Sequence, residues 1–490
     1  MLSVAESLAA LREIAESRPV RVLAEAFDAA GHEFALVGGP VRDAMLGRAV
    51  TDLDFTTSAR PDEIEAVLAP IAQKTWDVGR AFGTVAARVA GETVEITTYR
   101  AESYDPESRK PEVSFGDTLD GDLIRRDFTM NALALRLPAM TLVDPGTGVE
   151  DILAARIATP GTAEQSFTDD PLRMLRAARF SAQLGFAVDE EVRAAMTALA
   201  DRLDIVSAER IRDELSKLLG ADTPVPGLRL LVDTGLLERF LPEVPALKLA
   251  QDDHGRHKDV YEHSLTVLEQ AIELESERRG AEETEPDLVL RLAALLHDIG
   301  KPSTRRFEPG GVTFHHHDVV GAKLARKRLR ALRFDNETIA AVARLTELHL
   351  RFFGYSDQAW TDSAVRRYVR DAGPQLERLH VLTRADVTTR NQRKADRLAF
   401  AYDDIEQRIA ELREQEEMDS VRPGLDGAAI MALLGIRPGP EVGRAYQFLL
   451  EVRLDEGDRP EEELRERLLA WAAEQGIGGA EPGGTATPAP

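Results

Sequence analysis

Two aspartates separated by one residue, Asp52 and Asp54, stand in the segment LVGGPVRDAMLGRAVTDLDF at residues 36–55. TDLDF alternates, so as a strand it projects both carboxylates from one face. Paired carboxylates suit a hard divalent cation, and Mg²⁺ is usually held by a few carboxylates together with substrate phosphates. Upstream, Gly38 and Gly39 follow the apolar pair Leu36 and Val37. Lacking a Cβ, they let backbone approach a ligand closely. VRDAML at 41–46 reads as a short helix that carries Arg42 and turns its amide-rich N-terminus to an anion. A phosphate-binding turn followed by paired carboxylates fits phosphoryl or nucleotidyl transfer with two metal ions. A glycine turn followed by two solvated aspartates is the plainer alternative.

The segment resembles the active-site motif of the DNA polymerase β-like nucleotidyltransferases. The likeness is specifically to the bacterial and eukaryotic-type (class II) CCA-adding tRNA nucleotidyltransferases and their poly(A) polymerase relatives. The resemblance implies a third carboxylate on a neighbouring strand. Glu95, in VEITTYR at 94–100 between apolar neighbours, is the candidate. LIRRDFTMNA at 123–132 matches the family's RRDFTxNA string. By that likeness Arg125 and Arg126 neutralise triphosphate charge, while Asp127 and Asn131 hydrogen-bond ribose hydroxyls.

DDPLRMLRAARF at 169–180 is similar to the family's EDxxR motif, with Asp169 in place of the glutamate and with Asp170 and Arg173 in register. The chemistry of that pair can be argued directly. Cytosine and adenine each present an amino donor beside a ring-nitrogen acceptor. A carboxylate accepts from the first and a guanidinium donates to the second. Uracil and guanine reverse that order, and each buried polar group left unpaired costs ~1–3 kcal/mol. One Asp–Arg pair at i,i+3 of a helix can therefore take CTP and ATP and refuse UTP and GTP. Asp170 before Pro171 also reads as an ordinary helix cap. Arg176 and Arg179 extend the arginine face to hold phosphates or brace Asp170. SAERIRDEL at 207–215 resembles the family's ERIRxEL helix and reads as a capped, salt-bridged structural neck.

A second signature lies further on. YEHS at 261–264 and LHDIGK at 296–301 fall where most of the ten histidines cluster. The pattern is similar to HD-domain phosphohydrolases. It implies His263, His297, Asp298 and Asp386 as ligands of a divalent, transition-type metal, with His317 and His349 available for a second ion. Histidines simply packed in a helical core are the alternative.

These motifs need a scaffold. The 490 residues carry a net charge of −24 and no cysteine. The length allows several domains, and the charge argues against a generally adhesive nucleic-acid binder. RNA contact is left to local basic stretches such as KLARKRLRALR at 323–333 and RADVTTRNQRKADR at 384–397. Disulfides, zinc thiolates and a cysteine nucleophile are excluded. No signal peptide, membrane span or obligatory protein partner is expected, so a cytoplasmic protein is.

Strand-like runs (34–38, 84–89, 93–99, 133–137) mix with helices up to about residue 150, and helical periodicity dominates after Thr159. The expected fold is an α+β nucleotidyltransferase head, a polymerase β-like mixed sheet with helices, followed by a long all-α body that includes an HD domain. The expected divisions are 1–158 (head), 159–250 (helical neck), 251–400 (HD domain), 401–477 (C-terminal helices) and 478–490 (disordered tail). Residues 273–287 read as a solvated loop.

The resemblance implies template-independent CCA addition to the 3′ end of tRNA from CTP and ATP, with two Mg²⁺ in the head. VGRAFGTV at 78–85 lacks the longer basic string of bacterial poly(A) polymerases. A poly(A) polymerase, a partial enzyme adding only A or only CC, an HD phosphohydrolase with an inactive head, and a non-catalytic RNA binder remain the alternatives.

Overall fold

The computed structural model describes residues 4–79, 83–100, 116, 118–248, 260–278, 285–309, 311–352, 354–355, 360–388, 391–420, 423–456 and 459–477. The expected tail, part of the 78–85 string, His254 and His257 lie outside them. The chain divides into two compact units. One holds residues 1–354 and 372–391, the other 355–371 and 392–490.

The first unit opens on a seven-stranded sheet: β1 (Phe34–Val37), β2 (Leu53–Thr57), β3 (Ala72–Gly79), β4 (Thr84–Val89), β5 (Glu92–Thr98), β6 (Ala134–Leu137) and β7 (Thr141–Val143). Their order is β3-β4-β5-β2-β1-β6-β7. Every pairing is antiparallel except that of β2 with β5, which is parallel and sets Asp54 opposite Glu95. Ala90 and Gly91, both at positive φ (52° and 95°), close the β4–β5 hairpin. That is the two-residue turn whose twist matches its strands. Behind the sheet, the helix Arg18–Ala29 packs Phe27 on Phe34 and Phe34 on Phe55, with ring centroids 4.4 and 4.7 Å apart.

Helices follow. Leu172–Leu184 packs against Ala208–Leu219 and Val225–Asp233. The last approach requires Gly227, where a Cβ would lie 2.5 Å from the Ala178 carbonyl oxygen. The HD region is built from helices Val260–Arg278, Leu288–Leu296, His317–Ala331, Asn336–Leu348 and Leu376–Ala385, with a small hairpin, Arg306–Glu308 paired to Gly311–Thr313. The second unit is helical, and its core includes Leu425, Ile430, Leu449, Leu464 and Leu468.

The mixed-sheet head and helical body are as expected, with three corrections. β2 starts at Leu53, so Asp54 is in the strand while Asp52 precedes it. β3 and β7 carry no clear alternation and were not expected. Residues 273–278 belong to a helix rather than a solvated loop, because buried Glu275 pairs with buried Arg291 at 2.9 Å and accepts the Asp287 amide at 2.6 Å.

Candidate active site

Gly38 caps the helix Gly39–Leu46 at φ 76° and ψ −125°, a conformation open to glycine, and a Cβ there would sit 3.1 Å from Arg126 Nη1. Arg126 thus lies against the glycine turn. Buried Asp122 holds it there, accepting from Arg126 Nη2 at 3.2 Å while also taking the Thr56 hydroxyl and the Arg100 amide. Arg126 is also the cation that acts on Asp54. Burial, the Glu95 carboxylate and Asp52 push the Asp54 carboxyl up to about 6 against that attraction. Carboxylates crowded so that one resists ionising fit a site meant for added positive charge.

Asp54 and Glu95 line a cavity of about 420 Å³ together with Arg125, Arg126, Asp127, Asp170, Arg173, Arg176 and Arg210. Arg42 and Asn131 brace Asp127: Arg42 Nη1 donates to Asn131 Oδ1 at 2.6 Å, and Asn131 Nδ2 donates to Asp127 Oδ1 at 3.0 Å. That oxygen also accepts the Phe128 amide, while Asp127 Oδ2 accepts Arg176 Nε at 2.8 Å. Burial pushes Asp127 up, but Arg176 and Asn131 outweigh it and hold the carboxyl at about 2. Arg179 is buried against Glu214 at 2.7 Å, with its guanidinium 4.1 Å from the Phe180 ring centroid. Arg176 also lies 3.7 Å from Glu214. The network ties the head to both neck helices.

The side chains of Asp170 and Arg173 share no hydrogen bond or ion pair among those described; the two residues meet only where the Arg173 amide donates to the Asp170 carbonyl at 3.1 Å. Asp170 Oδ1 accepts the Leu172 amide at 3.1 Å, so the capping contact is present. Its Oδ2 accepts Arg210 Nη2 at 2.9 Å. Arg173 donates to Ser166 Oγ at 2.9 Å and to the Arg125 carbonyl at 2.8 Å. Asp169 accepts from Gln165 at 2.6 Å and lines an adjoining cavity. Sequence reasoning passed over Asp122, Glu214 and Arg210. The i,i+4 spacing of Arg210 and Glu214, one helical face carrying both signs, was the available signal.

The structure brings the histidines and both aspartates together, but divides them differently from the expected set, with Asp298 beside His317 and His349. His263, His297 and Asp386 form one potential ligand group, and Asp298, His317 and His349 a second. His297, His317 and His349 place Nδ1 2.6–2.8 Å from the carbonyls of Ala294, Phe314 and Thr346. A carbonyl only accepts, so Nδ1 carries the proton and Nε2 presents a lone pair to the cluster. His297 Nε2 and His317 Nε2 are buried without hydrogen-bond partners, as metal ligands would be. Asp386 Oδ1 lies 2.9 Å from His263 Nε2. Asp298 lies 3.3 Å from both His297 Nε2 and His317 Nε2. Burial opposes ionisation of both carboxyls. With a second proton on its ring, His297 would hold Asp298 well below the carboxylate range and, with His263, hold Asp386 at about 2, the part a bound cation takes when Nε2 is bare. Gly300 is required, since a Cβ there would fall 2.1 Å from the His317 carbonyl oxygen.

Residues 34–158 match the poly(A) polymerase head domain family, 185–247 the probable RNA and SrmB-binding site of polymerase A, and 260–391 the HD domain. Fold and site therefore define a nucleotidyltransferase head joined to an HD domain. The chain belongs to the tRNA nucleotidyltransferase family. It is 33% identical to the CC-adding tRNA nucleotidyltransferase of Thermus thermophilus over 443 residues, 89% of this chain and 93% of that protein. It is also 33% identical to the A-adding tRNA nucleotidyltransferase of Deinococcus radiodurans over 453 residues, 90% of this chain and 96% of that one. The CCA-adding enzyme of Bacillus stearothermophilus, solved in complex with CTP, superposes with a TM-score of 0.57 at 25% identity, covering 94% of this chain and 99% of that one. Among the described residues no helix is long and apolar enough to cross a membrane.

Proposed function

We propose that this chain adds CCA to the 3′ end of tRNA from CTP and ATP without a nucleic-acid template, releasing pyrophosphate. The observation that carries the reading is the Asp54–Glu95 carboxylate pair facing a pocket walled by arginines. It supports nucleotidyl transfer, and the family supplies tRNA as the acceptor. The likeness over 94% of this chain to a CCA-adding enzyme solved with CTP supports both activities residing in one chain.

Asp52, Asp54 and Glu95 would hold two Mg²⁺, and their crowding accords with that charge. That charge would supply the acidification of the RNA 3′-hydroxyl and the neutralisation of the leaving pyrophosphate. The chain's own residues do the rest. Arg125 and Arg126 receive the triphosphate, and Gly38 and Gly39 allow it close to backbone. Asp127, fixed by Arg176 and Asn131, orients the sugar side of the pocket. Asp170 and Arg173 read the base. Arg42 and Arg179 brace these groups from behind.

Two adjoining ligand groups, one with Asp386 and one with buried Asp298, favour a second, separable activity. The HD site would hold a divalent transition metal on His263, His297, Asp298 and Asp386, joined by His317 and His349, and would hydrolyse phosphate esters. Within this reading the chain keeps a head, a helical neck, an HD domain and C-terminal helices in that order.

The test incubates the protein and Mg²⁺ with a tRNA lacking its 3′ CCA and each labelled nucleoside triphosphate in turn. Incorporation of CTP, with UTP and GTP refused, is expected. Incorporation of all four alike would overturn the reading.

A further inference from the structure

The helix Ala208–Leu219 carries Arg210, which sequence reasoning treated as scaffold but which lines the nucleotide cavity beside Asp170 and Arg173. We infer that Arg210 is a positioning residue for base selection, holding the Asp170 carboxylate in the orientation from which it accepts the exocyclic amino group of cytosine or adenine. The inference rests on Asp170 reading the base.

An ionised carboxylate offers about four acceptor sites on two oxygens. One site on Oδ1 is taken by the Leu172 amide at 3.1 Å and one on Oδ2 by Arg210 Nη2 at 2.9 Å. A carboxylate gripped at both oxygens by donors from two different helices cannot turn about its last torsion. The directions of its remaining lone pairs are therefore set before a nucleotide arrives. Backbone capping alone, through one oxygen, leaves that rotation free.

Arg173 does not supply the second grip, because it donates to Ser166 Oγ and to the Arg125 carbonyl. The helix bearing Arg210 is itself well fixed. Ser207 caps its first turn, Ile211 and Leu215 are buried, and Glu214 is locked to Arg179 at 2.7 Å. A guanidinium on Asp170 also offsets its charge near the other carboxylates of the pocket. Such a hydrogen bond, made between charged groups, is directional as well as strong.

Arg210 is half exposed, so its loss has little reason to unfold the chain. The measurement is single-nucleotide incorporation with all four triphosphates for wild type, Arg210→Met, Arg210→Lys and Asp170→Asn, with KM and kcat separated and thermal melts alongside. Arg210→Met should lower the preference for CTP over UTP, and for ATP over GTP, by about tenfold through KM. Its melting temperature should hold, and Arg210→Lys, which keeps a donor, should recover much of the preference. Wild-type selectivity in Arg210→Met overturns the inference. So does a loss of selectivity that Arg210→Lys fails to recover while both variants melt early, since the helix rather than the contact has then failed. Asp170→Asn separates the two levels of the argument. If it too selects like wild type, base reading by this helix is wrong. If it alone changes selectivity, only the role of Arg210 falls.

Discussion

Replacing Asp127 with asparagine removes one negative charge from the junction between head and neck without changing side-chain size. The folded chain holds this carboxyl at about 2 against an ordinary 3.8, with burial opposing and Arg176 and Asn131 overcoming it. At ~1.36 kcal/mol per tenfold in proton affinity, that preference is worth about 2 kcal/mol of stability at neutral pH. The sign follows from the depressed value. The contribution is complete above the unfolded-state value near 4 and disappears as pH falls towards 2. Asp127→Asn should thus be about 2 kcal/mol less stable than wild type at pH 7, and the gap should close between pH 4 and pH 2. Trp76, on β3, reports on the head. The assay is urea unfolding followed by its fluorescence, in a chain whose other tryptophans, Trp360 and Trp471, are phenylalanine. A gap below about 0.5 kcal/mol at pH 7, or one that stays constant as pH falls, would refute the reasoning.

Other expectations concern the two sites directly. Asp52→Ala should abolish nucleotide addition in Mg²⁺ while tRNA binding and fold persist; substantial addition by the variant would remove it from the metal site. Asp54→Asn should abolish addition yet raise the unfolding midpoint in metal-free buffer at pH 7.5. Burial and Glu95 push the Asp54 carboxyl up to about 6, so ionising it above that pH costs stability; a lower midpoint contradicts this. His297→Ala should reduce bound transition metal, read by elemental analysis of the purified protein, and leave CTP and ATP addition unchanged. Equal loss of both would show that the sites are not separable. Arg173→Ala should reduce discrimination against UTP and GTP roughly tenfold to a hundredfold, read by single-nucleotide incorporation.

Much of this site was legible because its motifs are local. The glycine turn, the short helix after it and Asp54 lie within one β-α-β stretch, where residue spacing dictates geometry. Glu95 could be suspected as a carboxylate between apolar neighbours, but its pairing with Asp54 depends on two strands meeting in parallel register, which no local pattern encodes. β3 was missed because Gln73, Lys74 and Asp77 interrupt its alternation, as an edge strand allows. Glu275 read as solvated because neighbouring charges are, while its partner Arg291 lies on another helix. Arg210 and Glu214 looked like an ordinary charged helical face. Their partners are Arg179, from the helix packed across them, and Asp170, just before that helix, and tertiary contact alone distinguishes such a face from a solvated one.

The central claim is that one chain completes the whole CCA end. It is tested most directly with three tRNA acceptors, lacking CCA, ending in C, and ending in CC, each offered CTP alone and ATP alone with Mg²⁺. CTP should extend the first two acceptors and stop at CC, and ATP should extend the third by one residue. A chain that extends the first two and never the third adds only CC; one that extends only the third adds only A. Either result would contradict the account.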